Sequence, residues 1–206
     1  MSEEKLYLYP LGIRIWHWVN ALMFLLLIVT GISMQYSTPN YPLIRFDIAV
    51  STHNIAGVIL TFSFVFFVFY NRFSGNYKFY RCKRKGCIKR LNRQFEFYTI
   101  GIFKNEDPPY RISEKRKFNP MQKMSYLLVM YILMPVMIIT GLGLMYPETI
   151  IDNVFGISGI HMTDLFHIVS GFVLSVFMCI HVYFCTIGKT TVSNFKSMIT
   201  GWHEAH

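Results

Sequence analysis

Four uninterrupted apolar stretches without a single charged residue dominate the chain, at 15–36, 48–70, 124–146 and 165–187. Each exceeds the roughly 20 residues that a helix needs to cross the hydrocarbon of a bilayer. Lipid offers the backbone no hydrogen-bond partner, so each stretch is predicted to be a transmembrane helix. Trp16, Trp18, Tyr36, Tyr70, Tyr126, Tyr146 and Trp202 lie near the ends of these stretches, the positions that interfacial aromatics favour. The expectation is an all-α membrane protein: one integral-membrane domain over 1–206, a four-transmembrane-helix bundle with a long polar loop at 71–123. The first stretch is long enough to span and no small-residue cleavage site follows it, so no cleavable signal peptide is expected.

Composition agrees. Of 206 residues 53% are hydrophobic and only 15% charged, less charge than a water-soluble domain carries. The net charge of +9 adds a direction. Of 20 Lys and Arg, 15 fall between positions 72 and 123, whereas the loops 37–47 and 147–162 hold one basic residue, Arg45, against Asp47, Glu148 and Asp152. The positive-inside rule puts the basic loop and both termini in the cytoplasm. The same loop has the charge to touch anionic lipid headgroups or an acidic partner. Nucleic acid is not an expected partner of a loop tethered between spans.

Cysteine chemistry is sparse. Cys179 and Cys185 lie in the last stretch and read as small apolar filler. Cys82 and Cys87 flank a basic tetrapeptide, and two ligands do not close a zinc site, so both are expected as free thiols. There is no Cys-x-x-Cys-His, so any haem is held noncovalently.

The chemistry sits in histidines. His17, His53, His167 and His181 each lie inside an apolar stretch, and an ionisable residue there is costly and functional by default. His167 and His181 are fourteen apart, a rise of roughly 21 Å and an angular offset of about 40° on a helix. One helix can thus present two imidazoles on nearly one face at two depths. With the N-terminus inside, depth pairs His17 with His181 near the cytoplasmic side and His53 with His167 near the outer side. The expectation is two b-type haems, each held by two imidazoles. A single histidine in a span is more often an interhelical hydrogen-bonder; four at two matched depths favour ligation. Gly57 and Gly171 stand four residues after His53 and His167, on the same helix faces, and leave room for a porphyrin edge or for close helix packing. Gly31 and Gly141 have the size to do the same. Arg14, one turn before His17, fits either a propionate partner or a flanking anchor. His161 is read as a helix cap or a residue beneath an outer partner, and His203 and His206 as solvated.

Arg14-x-x-His17-Trp18, His53, Asn119-Pro120-Met121-Gln122-Lys123, His167, His181 and Thr200-Gly201-Trp202-His203-Glu204 together resemble the di-haem cytochrome b subunits of bacterial membrane-bound oxidoreductases. These are the subunits of respiratory formate dehydrogenases, nickel–iron hydrogenases and thiosulfate-reductase-type enzymes. The resemblance covers nearly the whole chain; the loop at 72–117 does not map onto it. It implies a place in the bacterial inner membrane, an outer-face iron–sulfur or multihaem redox subunit as partner, and a quinone site for menaquinone or ubiquinone at the cytoplasmic haem. Its residues would be Asn119, Gln122 and His181. Amide side chains suit a quinone carbonyl, which needs hydrogen-bond donors; Asn119 and Pro120 equally suit a helix start.

The functional expectation is an electron-transfer and membrane-anchor subunit that moves electrons between an outer redox partner and the quinone pool. No nucleotide motif or iron–sulfur cysteine set is present, so substrate conversion is expected in another subunit. The alternatives are an electron shuttle without its own quinone site, a divalent-metal transporter and an inert anchor. A transporter would need carboxylates inside the spans, and there are none.

Overall fold

The computed structural model describes residues 5–38, 41, 43–81, 85–113, 116–188 and 190–204; Cys82 and His206 lie outside the described residues. Four long helices carry the apolar stretches: α1 (Leu11–Tyr36), α2 (Phe46–Phe73), α4 (Pro120–Met145) and α5 (Gly159–Cys185). All four are long and apolar enough to cross a membrane. They begin up to six residues before the stretches predicted from hydropathy, because a helix continues into the interface where water satisfies its end groups. His161 accordingly lies within the first turn of α5 and is exposed.

The long loop is partly structured. Helix α3 (Cys87–Glu96) follows Gly86, whose φ of 71° suits a residue without a side chain. A wide π turn at Phe97–Gly101 extends it. Cys87 is a free thiol, partly buried. A second π turn interrupts α4 at Val129–Leu133. Pro135 explains it: its ring removes the N–H that would bond Tyr131 and crowds that carbonyl, so the ladder widens just before it. Among the described residues the strands are short: β1 (Lys5–Tyr7) pairs antiparallel with β4 (Trp202–Glu204), and β2 (Asn153–Val154) with β3 (Ile157–Ser158). Helix α6 (Ser193–Thr200) precedes β4.

Packing divides the chain into two compact units, Ile15–Phe69 with Ile132–His181, and Met1–Arg14 with Tyr70–Tyr131 and Val182–His206. The first unit is apolar outside, and its interior mixes apolar side chains such as Phe67, Leu60 and Met134 with small polar ones. Leu22, Leu25, Val29, Phe62, Phe69, Ile139 and Phe172 are exposed, while Asn20, Thr30, Ser33, Thr140 and Ser170 are buried. Lipid is as apolar as leucine, so burial of Leu gains little there; small and hydroxylated residues instead let helices approach and hydrogen-bond. Asn20 Nδ2 donates to Ser63 Oγ at 2.6 Å and the Trp16 indole donates to the Ser63 carbonyl at 3.0 Å, which locks α1 against α2.

The second unit is held by its termini. The β1–β4 ribbon aligns Leu6 with His203, and Tyr7 packs against Trp202 in a tilted arrangement with ring centroids 5.2 Å apart. Gly201 closes α6 at φ 87°, and a Cβ there would sit 2.8 Å from the Tyr9 carbonyl oxygen, so only glycine fits. His203 corrects the expectation of a solvated side chain: it is buried, with Nδ1 3.3 Å from Ser197 Oγ. The cause is non-local, since β1 covers it from the opposite end of the chain.

Candidate functional site

The first unit gathers all four span histidines. His17 on α1 faces His181 on α5, and His53 on α2 faces His167 on α5. Ring centroids are 6.2 Å apart in both pairs, with interplanar angles of 54° and 65°. These are the two partnerships that depth along the helices had predicted.

Neighbouring groups fix each ring. Thr30 Oγ1 lies 2.9 Å from His53 Nδ1, and Thr140 Oγ1 lies 2.9 Å from His167 Nδ1. Phe177 stacks on His181 at 5.8 Å with an interplanar angle of 19°. Trp18 meets His17 edge-on, with centroids 5.5 Å apart. His17 Nδ1 is buried without a hydrogen-bond partner among the described residues.

The glycines divide into two kinds. A Cβ on Gly31 would lie 3.5 Å from His53 Cε1, and one on Gly141 would lie 3.2 Å from His167 Cε1. These two residues, each on the helix beside the ligand candidate, admit the imidazole. Gly57 looks onto open space, with nothing within 4 Å of a built Cβ, whereas Gly171 faces the Met137 methyl at 3.7 Å. Sequence reasoning had emphasised Gly57 and Gly171 and had missed Thr30 and Thr140. A signal was present: both odd-numbered spans carry Thr-Gly, as Thr30-Gly31 and Thr140-Gly141.

The donor set suits an iron already enclosed by a porphyrin. A metal bonds an imidazole nitrogen at about 2 Å, so two imidazoles on opposite sides of one ion place their ring centroids roughly 6 Å apart. Both pairs have that separation. A protein-only metal site needs three or four ligands, and no group of three or more His, Cys, Asp or Glu side chains gathers among the described residues. Two imidazoles complete the coordination only if a macrocycle supplies the rest.

The second unit holds the other candidates. Asn119 caps α4: its Oδ1 accepts from Gln122 N at 2.9 Å, and Gln122 Oε1 accepts from Asn119 N at 3.1 Å. This reciprocal capping box, with Pro120 at the first helical position, realises the helix-start reading. Asn119 Nδ2 donates to the Tyr98 hydroxyl at 2.7 Å, and Tyr98 packs on Phe184 with centroids 4.6 Å apart. Burial, with the Cys185 thiol nearby, pushes the Tyr9 phenol up to about 12. Burial also raises Tyr80 and, against the hydrogen bond from Asn119, Tyr98. All three therefore remain protonated hydroxyls at neutral pH. Arg14 lies by α6, where its Nη1 donates to the Ile199 carbonyl. A connected set runs from Lys117 Nζ to Asn76 Oδ1 at 3.4 Å, Asn76 Nδ2 to Asn71 Oδ1 at 3.0 Å, and Asn71 Nδ2 to the Tyr131 hydroxyl at 2.9 Å. Burial lowers the pKa of Lys117. The loop that sequence reasoning left unexplained supplies Asn76 and Lys117 to this set.

Comparison with known proteins gives concordant matches. The family described as prokaryotic cytochrome b561 matches residues 8–201. The putative cytochrome YdhU of Escherichia coli strain K12 is 35% identical over 201 residues, covering 98% of this chain and 76% of that protein. The probable Ni/Fe-hydrogenase B-type cytochrome subunit of Rhodobacter capsulatus is 25% identical over 226 residues, covering 99% of this chain and 82% of that protein.

Proposed function

The chain belongs to the prokaryotic cytochrome b561 family, and on that premise we propose that it holds two haems, one between His17 and His181 and one between His53 and His167. It is a multi-pass membrane cytochrome of electron transport whose family cofactor is haem b. The observation that carries the two-haem reading is the repeated 6.2 Å separation of facing imidazoles. Haem, when bound, supplies one-electron chemistry, and ligation by two imidazoles favours electron transfer over reaction with small molecules. The four histidines bind, Gly31 and Gly141 admit the rings, and the surrounding apolar side chains exclude water.

The charge asymmetry supports a topology with both termini and the basic segment in the cytoplasm of a bacterium, across its inner membrane. His17 and His181 then form the inner pair, and His53 and His167 the outer pair. Electrons move between an outer-face redox subunit, iron–sulfur or multihaem in kind, and menaquinone or ubiquinone near the cytoplasm. The relative named as a hydrogenase cytochrome subunit supports a partner of that class. Asn119, Gln122 and His181 remain the proposed quinone residues, with Tyr98 added because its hydroxyl is held by Asn119 and stays a proton donor. Arg14, Gly57 and Gly171 are assigned lesser parts: a positive charge to pair a haem propionate, and space beside His53 and His167.

A second reading is a shuttle without its own quinone site. It is favoured by the capping box, which already engages both amide oxygens.

The test of the haem assignment is a pyridine haemochrome determination on purified, detergent-solubilised protein against quantitative amino-acid analysis. Two noncovalent b-type haems per chain are expected; one or none overturns the reading.

A further inference from the structure

Helix α3 has three distinct faces. Ile88 and Phe95 stand seven residues apart, about 20° around the axis, and are 74% and 58% exposed. Lys89 and Arg93, four residues apart, are exposed on a second face. Gln94 is buried on a third, flanked by half-buried Cys87 and Leu91. At about 100° per residue the three faces stand roughly 120° apart. A helix on a water-facing surface needs only two faces, one against the protein and one solvated. A third face of exposed isoleucine and phenylalanine suits a helix lying in a corner, with protein on one side, lipid on another and water on the last.

The attachment of α3 sets its depth. It packs on the start of α4. The π turn that extends it carries Tyr98, whose hydroxyl accepts from Asn119 Nδ2 at 2.7 Å. Asn119 is the N-cap of a membrane span whose uncharged run begins at Met124, roughly 7 Å further along the helix. The end of α3 therefore lies at headgroup level. Beyond it Ile100 and Phe103 are exposed as well.

Charge selects the lipid. Between positions 85 and 104, five basic residues accompany one acid, Glu96. Of the acids that follow, Asp107 is paired with Arg111 and Glu106 turns towards Gly101. The same face of a second copy of the chain would bring like charge and be repelled. An anionic headgroup is attracted.

We propose that α3 and the turn after it form an interfacial anchor for anionic phospholipid. Ile88, Phe95 and Phe103 enter the boundary between headgroups and acyl chains, and Lys89 and Arg93 reach the phosphates beside the helix. Apolar burial and electrostatic attraction then act together, as they do for helices that lie in the plane of a membrane. The inference needs only the four membrane spans and is independent of the haem and quinone assignments.

The test uses the full chain with its haems, reconstituted in nanodiscs of equal parts phosphatidylglycerol and phosphatidylcholine. Phe95→p-benzoylphenylalanine puts a photo-crosslinker on the apolar face, and Glu96→p-benzoylphenylalanine puts one on the polar side. Mass spectrometry reads the adducts. Position 95 is expected to capture lipid, with phosphatidylglycerol in excess, and position 96 to capture little. With the crosslinker at 95, Lys89→Gln and Arg93→Gln should each lower the ratio of phosphatidylglycerol to phosphatidylcholine adducts about fivefold, the worth of one basic charge near an anionic surface. Ile88→Ser should lower the total lipid yield at 95. All of these side chains are exposed, so haem content should be unchanged in every variant. The proposal is overturned if position 95 yields protein adducts instead of lipid, if 96 captures lipid as well as 95 does, or if the two lipids are captured equally in the natural background.

Discussion

The His17/His181 and His53/His167 pairs are equal in separation and differ in the groups packed around them. In the His53/His167 pair, both Nδ1 atoms reach a buried threonine and both rings lie against a glycine of a neighbouring helix. In the other pair, Phe177 stacks on His181 and Trp18 meets His17 edge-on. The difference teaches that ligand separation and ligand electronics are set by different residues. Separation follows from where the histidines fall on their helices. Electronics follow from what an adjacent helix presents to the far side of the ring, which is how second-shell groups tune a metal site.

The largest effect expected comes from the histidines themselves. His53→Ala or His167→Ala should halve haem content and spare the second transition; His17→Ala should remove the other haem. Optical redox titration with haem quantitation checks both, and loss of the same transition from either pair would dissolve the distinction between them.

Next come the glycines. Gly141→Leu adds a side chain whose first carbon already lies 3.2 Å from His167 Cε1, so it should displace the ring and deplete the His53/His167 haem. Gly31→Ala, at 3.5 Å from His53 Cε1, is in ordinary contact and should leave both haems bound. Gly57→Ala enters open space and should be milder still. Haem-to-protein ratios measure the series, and an order in which Gly57→Ala is the most damaging would contradict the observed contacts.

A smaller effect separates the haem pairs from the quinone residues. Asn119→Ala removes a hydrogen bond to Tyr98, a loss of about 1 to 3 kcal/mol when a buried partner is left unsatisfied. It also removes a helix cap, a further loss of about 1 kcal/mol. Slowed quinone-linked turnover by the intact complex, with both haems retained, is the expected result. Pro120→Ala, which keeps every side-chain donor, is the control. Tyr98→Phe should reproduce part of the defect if the phenol itself meets the quinone. Unchanged turnover in Asn119→Ala and Tyr98→Phe would reduce the segment to a helix cap and favour the shuttle without a quinone site.

Much of the imidazole arrangement was legible in the sequence because it depends on local regularities. Apolar run length defines a span, and helical rise converts the spacing of His167 and His181 into two depths. The Asn119–Gln122 cap was legible for the same reason: its two partners are three residues apart. Thr30 and Thr140 were not. A threonine in a span reads as bonded to its own helix, and both are; only packing brings the same oxygen to a histidine 23 or 27 residues away. His203 was misread because its burial comes from pairing of β4 with β1, a contact between opposite ends of the chain that no local pattern announces. The 71–123 segment hid α3 for a different reason: its basic residues dominate the composition, and the buried position of Gln94 is set by packing alone.

The central claim is that four histidines form two independent haem sites, and paired double substitution tests it most directly. His17→Ala/His181→Ala removes both members of one pair; His17→Ala/His167→Ala removes one member of each. Haem content is measured in both variants purified alongside the natural protein. The account predicts one haem per chain in the first variant, none in the second and two in the natural protein. Equal haem content in the two double variants would contradict it.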